Sequence, residues 1–131
     1  MLEETKLVTS LQPQAFSGAS AGDAVDTAGY DEAVVIFACG VIAANGTLDV
    51  KVQECDTSDG TFTDVEDAVF SQKTPTTDQA MYAGYIRCEG VRKRWLKAHA
   101  TQATAAATGA VAFLLGGKNF TGAPQSFAFN V

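Results

Sequence analysis

The 131-residue chain has one histidine and three cysteines, and each scarcity removes a class of protein. A lone imidazole, His99, leaves no second histidine for a His-based metal site. It also leaves any Ser-His-Asp arrangement dependent on a residue in a strand-like stretch beside Trp95, with no Gly-x-Ser-x-Gly elbow in the chain. Cys39, Cys55 and Cys88 are odd in number and show no Cys-x-x-Cys spacing, which suggests neither a disulfide framework nor a zinc knuckle. They are expected to be reduced packing residues, as in a reducing cytoplasm. Basic residues are also few: nine against fifteen acids give a net charge of −6, which argues against direct nucleic-acid binding by phosphate neutralisation. No apolar run approaches the ~20 residues of a membrane-spanning helix, so no membrane partner is expected. With 47% hydrophobic and only 18% charged residues, the chain is not a disordered one. Met1-Leu2-Glu3-Glu4-Thr5-Lys6 carries acids where a secretory signal needs a basic start, so no export signal is expected. The sequons Asn45-Gly46-Thr47 and Asn119-Phe120-Thr121 are accordingly read as chance matches.

What is present is β periodicity. In Thr47 to Cys55, Leu48, Val50 and Val52 alternate with Asp49, Lys51 and Gln53, the pattern of a half-buried strand. Before it, Glu32 to Ile42 is a continuous apolar run, expected for a strand covered on both faces. Asn45-Gly46 between them predicts a type I′ turn and an antiparallel hairpin. Turn formers over Asp56–Thr61 precede a strand from Phe62 to Val65, and further strands are expected over 81–88, 94–101 and 109–115. Ala103–Ala107 is a weak helical candidate on propensity alone. The pattern gives an all-β, single-domain antiparallel β-sandwich or jelly roll with its core at about 30–115. Extended arms are expected at about 1–29 and 116–131. Within the first, residues 12–30 read as an arm or an edge strand because Pro13, Gly18, Gly22 and Gly29 interrupt them. In the second, Phe127, Phe129 and Val131 alternate, so the last residues could add a strand to a sheet in this molecule or a neighbour.

Charge is unevenly divided. Residues 1–67 hold thirteen acids against Lys6 and Lys51, and residues 68–131 hold seven basic residues against Asp78 and Glu89. Either acidic and basic strands pair inside one fold, or opposite faces of neighbouring copies meet. The run Arg92-Lys93-Arg94 beside Trp95 has the chemistry of a stacking site for single-stranded nucleic acid. In an acidic chain, pairing with acids of its own or docking on an acidic protein surface fits better. Other motifs fail on spacing. Counted from Asp56, Gly60 falls at position five and Glu66 at eleven, where a calcium-binding EF-hand loop needs positions six and twelve. Asp64, Glu66 and Asp67 read as a solvated face, and Gly116-Gly117-Lys118 lacks the rest of a phosphate-binding loop. No cofactor or metal site is expected, and no enzyme.

Taken in order, Glu32-Ala33-Val34-Val35-Ile36 leading to Gly40 and Ile42, Leu48-Asp49-Val50-Lys51-Val52-Gln53-Glu54, Asp56-Thr57-Ser58-Asp59-Gly60-Thr61-Phe62, then Tyr85 and Arg92-Lys93-Arg94-Trp95-Leu96-Lys97, form a recognisable series. It resembles the capsid cement or decoration proteins of tailed bacteriophages over residues 30 to 115. Cys55 stands where such proteins often carry serine after the Gln-Glu pair. The resemblance implies a non-enzymatic β-sandwich on the outer surface of an expanded icosahedral head. It would be made in the host cytoplasm and carried on the virion, bridging adjacent major capsid subunits and self-associating, often as a trimer. Expected interface residues are Leu7, Val8 and Leu11 in one arm, Phe120, Phe127 and Phe129 in the other, and Arg92, Lys93 and Arg94 between them. Two other readings stay open: a tail or head–tail junction component, and a receptor- or carbohydrate-binding sandwich using Trp95, Tyr82 and Tyr85.

Overall fold

The computed structural model describes residues 6–88, 92–116, 128, 129 and 131. Among these residues nine strands carry the fold: β1 (Lys6–Phe16), β2 (Ala19–Ala21), β3 (Val25–Asp26), β4 (Glu32–Ile42), β5 (Thr47–Cys55), β6 (Thr63–Val69), β7 (Ala80–Arg87), β8 (Trp95–Ala103) and β9 (Ala107–Gly116). The described residues contain no helix, and Ala103–Ala107 makes a turn in which Ala105 N donates to Ala103 O at 2.8 Å. One sheet has the order β1-β9-β4-β7, and the other β2-β8-β5-β6 with β3 also on β8. Because β2 and β3 pair successively along β8, at Thr101–His99 and then Leu96–Trp95, they act as one interrupted strand. Counted so, the order is that of an eight-stranded jelly roll, with all of these strand pairs antiparallel.

The strand pattern explains the layering. Val35 and Phe37 of β4, Val111, Phe113 and Leu115 of β9, Leu48, Val50 and Val52 of β5, and Leu96, Ala98 and Ala100 of β8 are all buried between the sheets. Phe70 stands at the centre of an aromatic cluster, tilted against Phe37 at 5.4 Å and edge-on to Phe129 at 4.9 Å. Such ring pairs add about 0.5–1.5 kcal/mol beyond the area they bury.

Three expectations change. The Asn45-Gly46 turn exists, with Gly46 N donating to Ala43 O at 2.9 Å and Asn45 at φ 68°, but it does not close a hairpin. The β4 strand pairs with β7 and β9 while β5 pairs with β6 and β8, so the turn carries the chain from one sheet to the other. Residues from Lys6 onward belong to the sandwich and are not an arm preceding it: β1 is an edge strand, and Leu11, Phe16 and Val25 are core residues. Pairing across the β1–β9 register shifts at Thr9/Leu11 and Leu11/Gln14 bends β1 toward the other sheet. There the buried Ser10 hydroxyl donates to Asp23 O at 2.8 Å and accepts from Ala98 N at 3.0 Å, fastening the two sheets at that edge. Finally, β4 is not covered on both faces. Its inward residues are buried, but Val34, Ile36 and Ala38 are only partly so and face outward.

The chain end supplies a further strand segment. Ala128 N donates to Ala83 O, Tyr85 N to Phe129 O, Val131 N to Tyr85 O and Arg87 N to Val131 O, at 2.7–2.9 Å. Tyr85 bonding both Phe129 and Val131 is the parallel pattern, so the segment extends the first sheet beyond β7. Of the two destinations open to the last residues, this structure shows Ala128, Phe129 and Val131 on their own molecule.

Candidate functional site

The outward face of the β1-β9-β4-β7 sheet is apolar over three successive rows. Leu7, Leu114, Val34 and Tyr85 form one row, Thr9, Ala112, Ile36 and Ala83 the next, and Ala110, Ala38 and Met81 the third. None of the eleven is charged, and only Thr9 and Tyr85 carry polar side-chain atoms. Leu7 and Met81, at the two margins, are 65% and 70% exposed. With strands about 4.8 Å apart and same-face residues about 6.8 Å apart, the rows cover roughly 20 by 20 Å, or about 400 Å². A footprint of that size is within the range of the largest apolar patch on a typical monomer, which is often an interaction site. One end is bounded by the Gly116, Glu32 and Arg87 row. There buried Glu32 accepts a hydrogen bond from the Tyr85 hydroxyl, and burial, then the Glu32 contact, push the Tyr85 phenol up to about 12. At the other end Gly40, Thr108, Gly109 and Ala110 line a shallow hollow beside Pro13 and Gln14.

The outward face of the second sheet is different in kind. It displays Asp49, Lys51, Gln53, Lys97 and His99, and its charges are largely matched within the chain. Asp64 accepts from Lys51 Nζ and from Gln53 Nε2, both at 3.0 Å, which together lower its carboxyl pKa. Gln72 Nε2 donates to Asp49 at 3.0 Å. Burial and then the Lys51 and Lys97 charges lower the His99 pKa, and its Nδ1 has no hydrogen-bond partner.

The basic run is likewise matched internally. Arg94 grips Asp26 with two bonds of 2.8 Å and lies over the Trp95 ring at 5.4 Å. Those bonds, helped by Ala28 N, lower the Asp26 pKa to about 2. Arg92 pairs with Glu54 at 3.5 Å, and Lys93 contributes its backbone N–H to the same carboxylate at 3.0 Å while its side chain is exposed. Between the two readings of the divided charge, these contacts are the intramolecular one.

The other expected interface residues fall in different places. Leu7 is on the outward face. Val8 packs against the core, and Leu11 and Phe129 are inside it at 3% and 7% exposure, so these last two are not free anchors. Phe120 and Phe127 lie outside the described residues. The three aromatics of the glycan reading do not converge. Tyr82 faces inward against Phe37 with the ammonium of buried Lys73 3.6 Å over its ring, Tyr85 is at the buried end of the outward face, and Trp95 is on the other sheet. The thiols are built for packing: Cys39 and Cys55 are buried, and burial pushes Cys39 up and Cys88 to about 11, leaving both protonated at neutral pH. Among the described residues no three His, Cys, Asp or Glu side chains cluster as a metal site would require.

Val34, Ile36, Ala38, Ala110, Ala112, Leu114 and Met81 were not picked out as interface residues by sequence. The signal was the unbroken apolar run of β4, which a sandwich of only two sheets cannot cover on both sides. No protein-family model matches the sequence, and no curated protein matches it. Among solved structures, the chain overlays on the crystal structure of the infectious bursal disease virus VP2 subviral particle with a TM-score of 0.48 and 14% identity. The overlay covers 92% of this chain and 35% of that one, so the chain spans about a third of the VP2 chain. A likeness of that degree does not bear on function.

Proposed function

We propose that this chain is a structural protein of a virion, and specifically a cement or decoration protein that seats its apolar sheet face on the outside of a tailed-phage head. The observation that carries this reading is the asymmetry of the sandwich: one outward face is charged and internally paired, while the other is an uncharged plate of eleven residues. The jelly-roll order suits the role but does not decide it, since lectins and small-molecule enzymes share the architecture. The sequence resemblance supplies the partner, the major capsid protein. A plate of about 400 Å² is half of what one partner buries in a standard interface. It therefore forms the apolar centre of a contact whose rim comes from neighbouring loops and neighbouring copies, in keeping with trimers that bridge adjacent coat subunits. The chemistry is that of adhesion: no group transfer is assigned to any residue.

The test is co-sedimentation of the purified chain with expanded, undecorated heads and with precursor shells. Saturable, stoichiometric pelleting with expanded heads only is the expected result. Absence of pelleting with either shell overturns the cement reading and favours the tail or junction alternative.

A further inference from the structure

The edge of β7 holds a built receptor for an extended peptide. Gly84 is buried, and a Cβ there would overlap three atoms of the Phe129 ring, so the missing side chain is what makes room for that ring. Phe70 forms the floor of the notch, edge-on to Phe129 at 4.9 Å. Backbone groups of Ala83, Tyr85 and Arg87 supply the four hydrogen bonds that hold the segment. We propose that this notch also accepts the C-terminal strand of a second copy of the chain, so that neighbouring copies can exchange their last residues.

Topology is the argument. A strand joined to its neighbour by a tight hairpin cannot leave it, whereas a parallel strand must arrive by a long connection. Here the segment follows β9, which is separated from it by β4 and β7. Gly116 is level with Arg87 through Glu32, and Ala128 is level with Ala83. Crossing three strand spacings and about four residues of strand length is a path of roughly 20 Å. The twelve steps from residue 116 to residue 128 can extend to about 40 Å. That surplus of chain reaches the same notch on an abutting copy, where every contact described above is reproduced. Because the contacts are the same, local concentration decides the outcome. A tether of this length gives an effective concentration on the order of millimolar, which closely packed copies match. The inference does not depend on the shell reading and applies to any assembly of the chain.

The experiment uses full-length Ala83→Cys and Ala128→Cys variants of different mass, mixed and oxidised, with linkages mapped by mass spectrometry. The double variant serves as the geometric control, since Ala128 N and Ala83 O are 2.7 Å apart. The expected result is an 83–128 disulfide joining one chain of each kind near millimolar concentration, falling more than about tenfold at 10 micromolar. An intrachain bond in the double variant with no interchain 83–128 bond at any concentration overturns exchange. Failure of the double variant to close overturns the acceptor site itself.

Discussion

Alanine at position 84 puts a methyl group where the Phe129 ring now lies, and the ring is backed by Phe70 so that it cannot slide deeper. The relief open to the chain is to release residues 128–131 from the β7 edge. Truncating a buried phenylalanine in a fixed core position costs about 3–5 kcal/mol. Release also gives up four backbone hydrogen bonds worth about 0.5–1.5 kcal/mol each, while the freed residues regain about 1–2 kcal/mol of backbone freedom apiece, which offsets most of the combined loss. The expected net destabilisation for Gly84→Ala is therefore about 1–3 kcal/mol, and Phe129→Ala should fall in the same range. The two are not independent: once the ring is gone, the methyl group has room. The double variant should be no less stable than Phe129→Ala alone, giving a coupling of about 1–3 kcal/mol in a double-mutant cycle. Urea unfolding supplies the stabilities. Hydrogen exchange supplies the location, because the Tyr85 and Arg87 amides donate to Phe129 O and Val131 O and should lose protection in Gly84→Ala. Additive stabilities, or unchanged protection of those two amides, would refute this account of the notch.

Other outcomes follow from the same structure. Ser10→Ala strands the Ala98 amide in the core and should lower stability by about 1–3 kcal/mol in urea unfolding; a change under about 0.5 kcal/mol would mean the sheets are not fastened there. Lys73 is 4% exposed and, among the described residues, its ammonium meets only the Ser71 hydroxyl at 3.0 Å and the Tyr82 ring, while burial lowers its pKa. Lys73→Met should thus leave stability unchanged or raise it, and a loss beyond about 2 kcal/mol would show the cation–π contact outweighing desolvation. His99 has its pKa lowered from 6.5 in the fold, so the unfolded chain binds its proton first as pH falls. Its contribution is full above about pH 6.5 and declines as pH drops through that value, and His99→Gln should flatten this part of the stability–pH curve.

The sequence made the sandwich legible because alternation in β5 and apolar runs in β4 and β9 are local signals. Partners were less so. The Asn45-Gly46 turn was correctly placed, yet turn chemistry reports a change of direction and not which sheet the next strand joins. Pro13, Gly18, Gly22 and Gly29 leave residues 12–30 readable as either an arm or an edge strand, because the register shifts of β1 break the period of two that marks a strand. The partners of Arg92 and Arg94 lie 38 and 68 residues away, and no local pattern encodes such pairs. Phe129 was recognisable as part of an alternating strand, but its destination rests on a single missing Cβ at Gly84. The uniform apolarity of β4 signals cover on both faces, and its outer half is the plate proposed to meet another protein.

That plate is tested most directly by placing one charge at its centre. Ile36→Lys lies in the middle row between Ala112 and Ala83, and Lys97→Ala on the opposite sheet serves as the control. Affinity for expanded heads, measured by co-sedimentation of chains whose thermal unfolding is unchanged, should fall at least about tenfold for Ile36→Lys, a loss of about 1.4 kcal/mol, and stay constant for Lys97→Ala. Full binding by Ile36→Lys together with loss in Lys97→Ala would contradict the account and move the docking surface to the charged sheet.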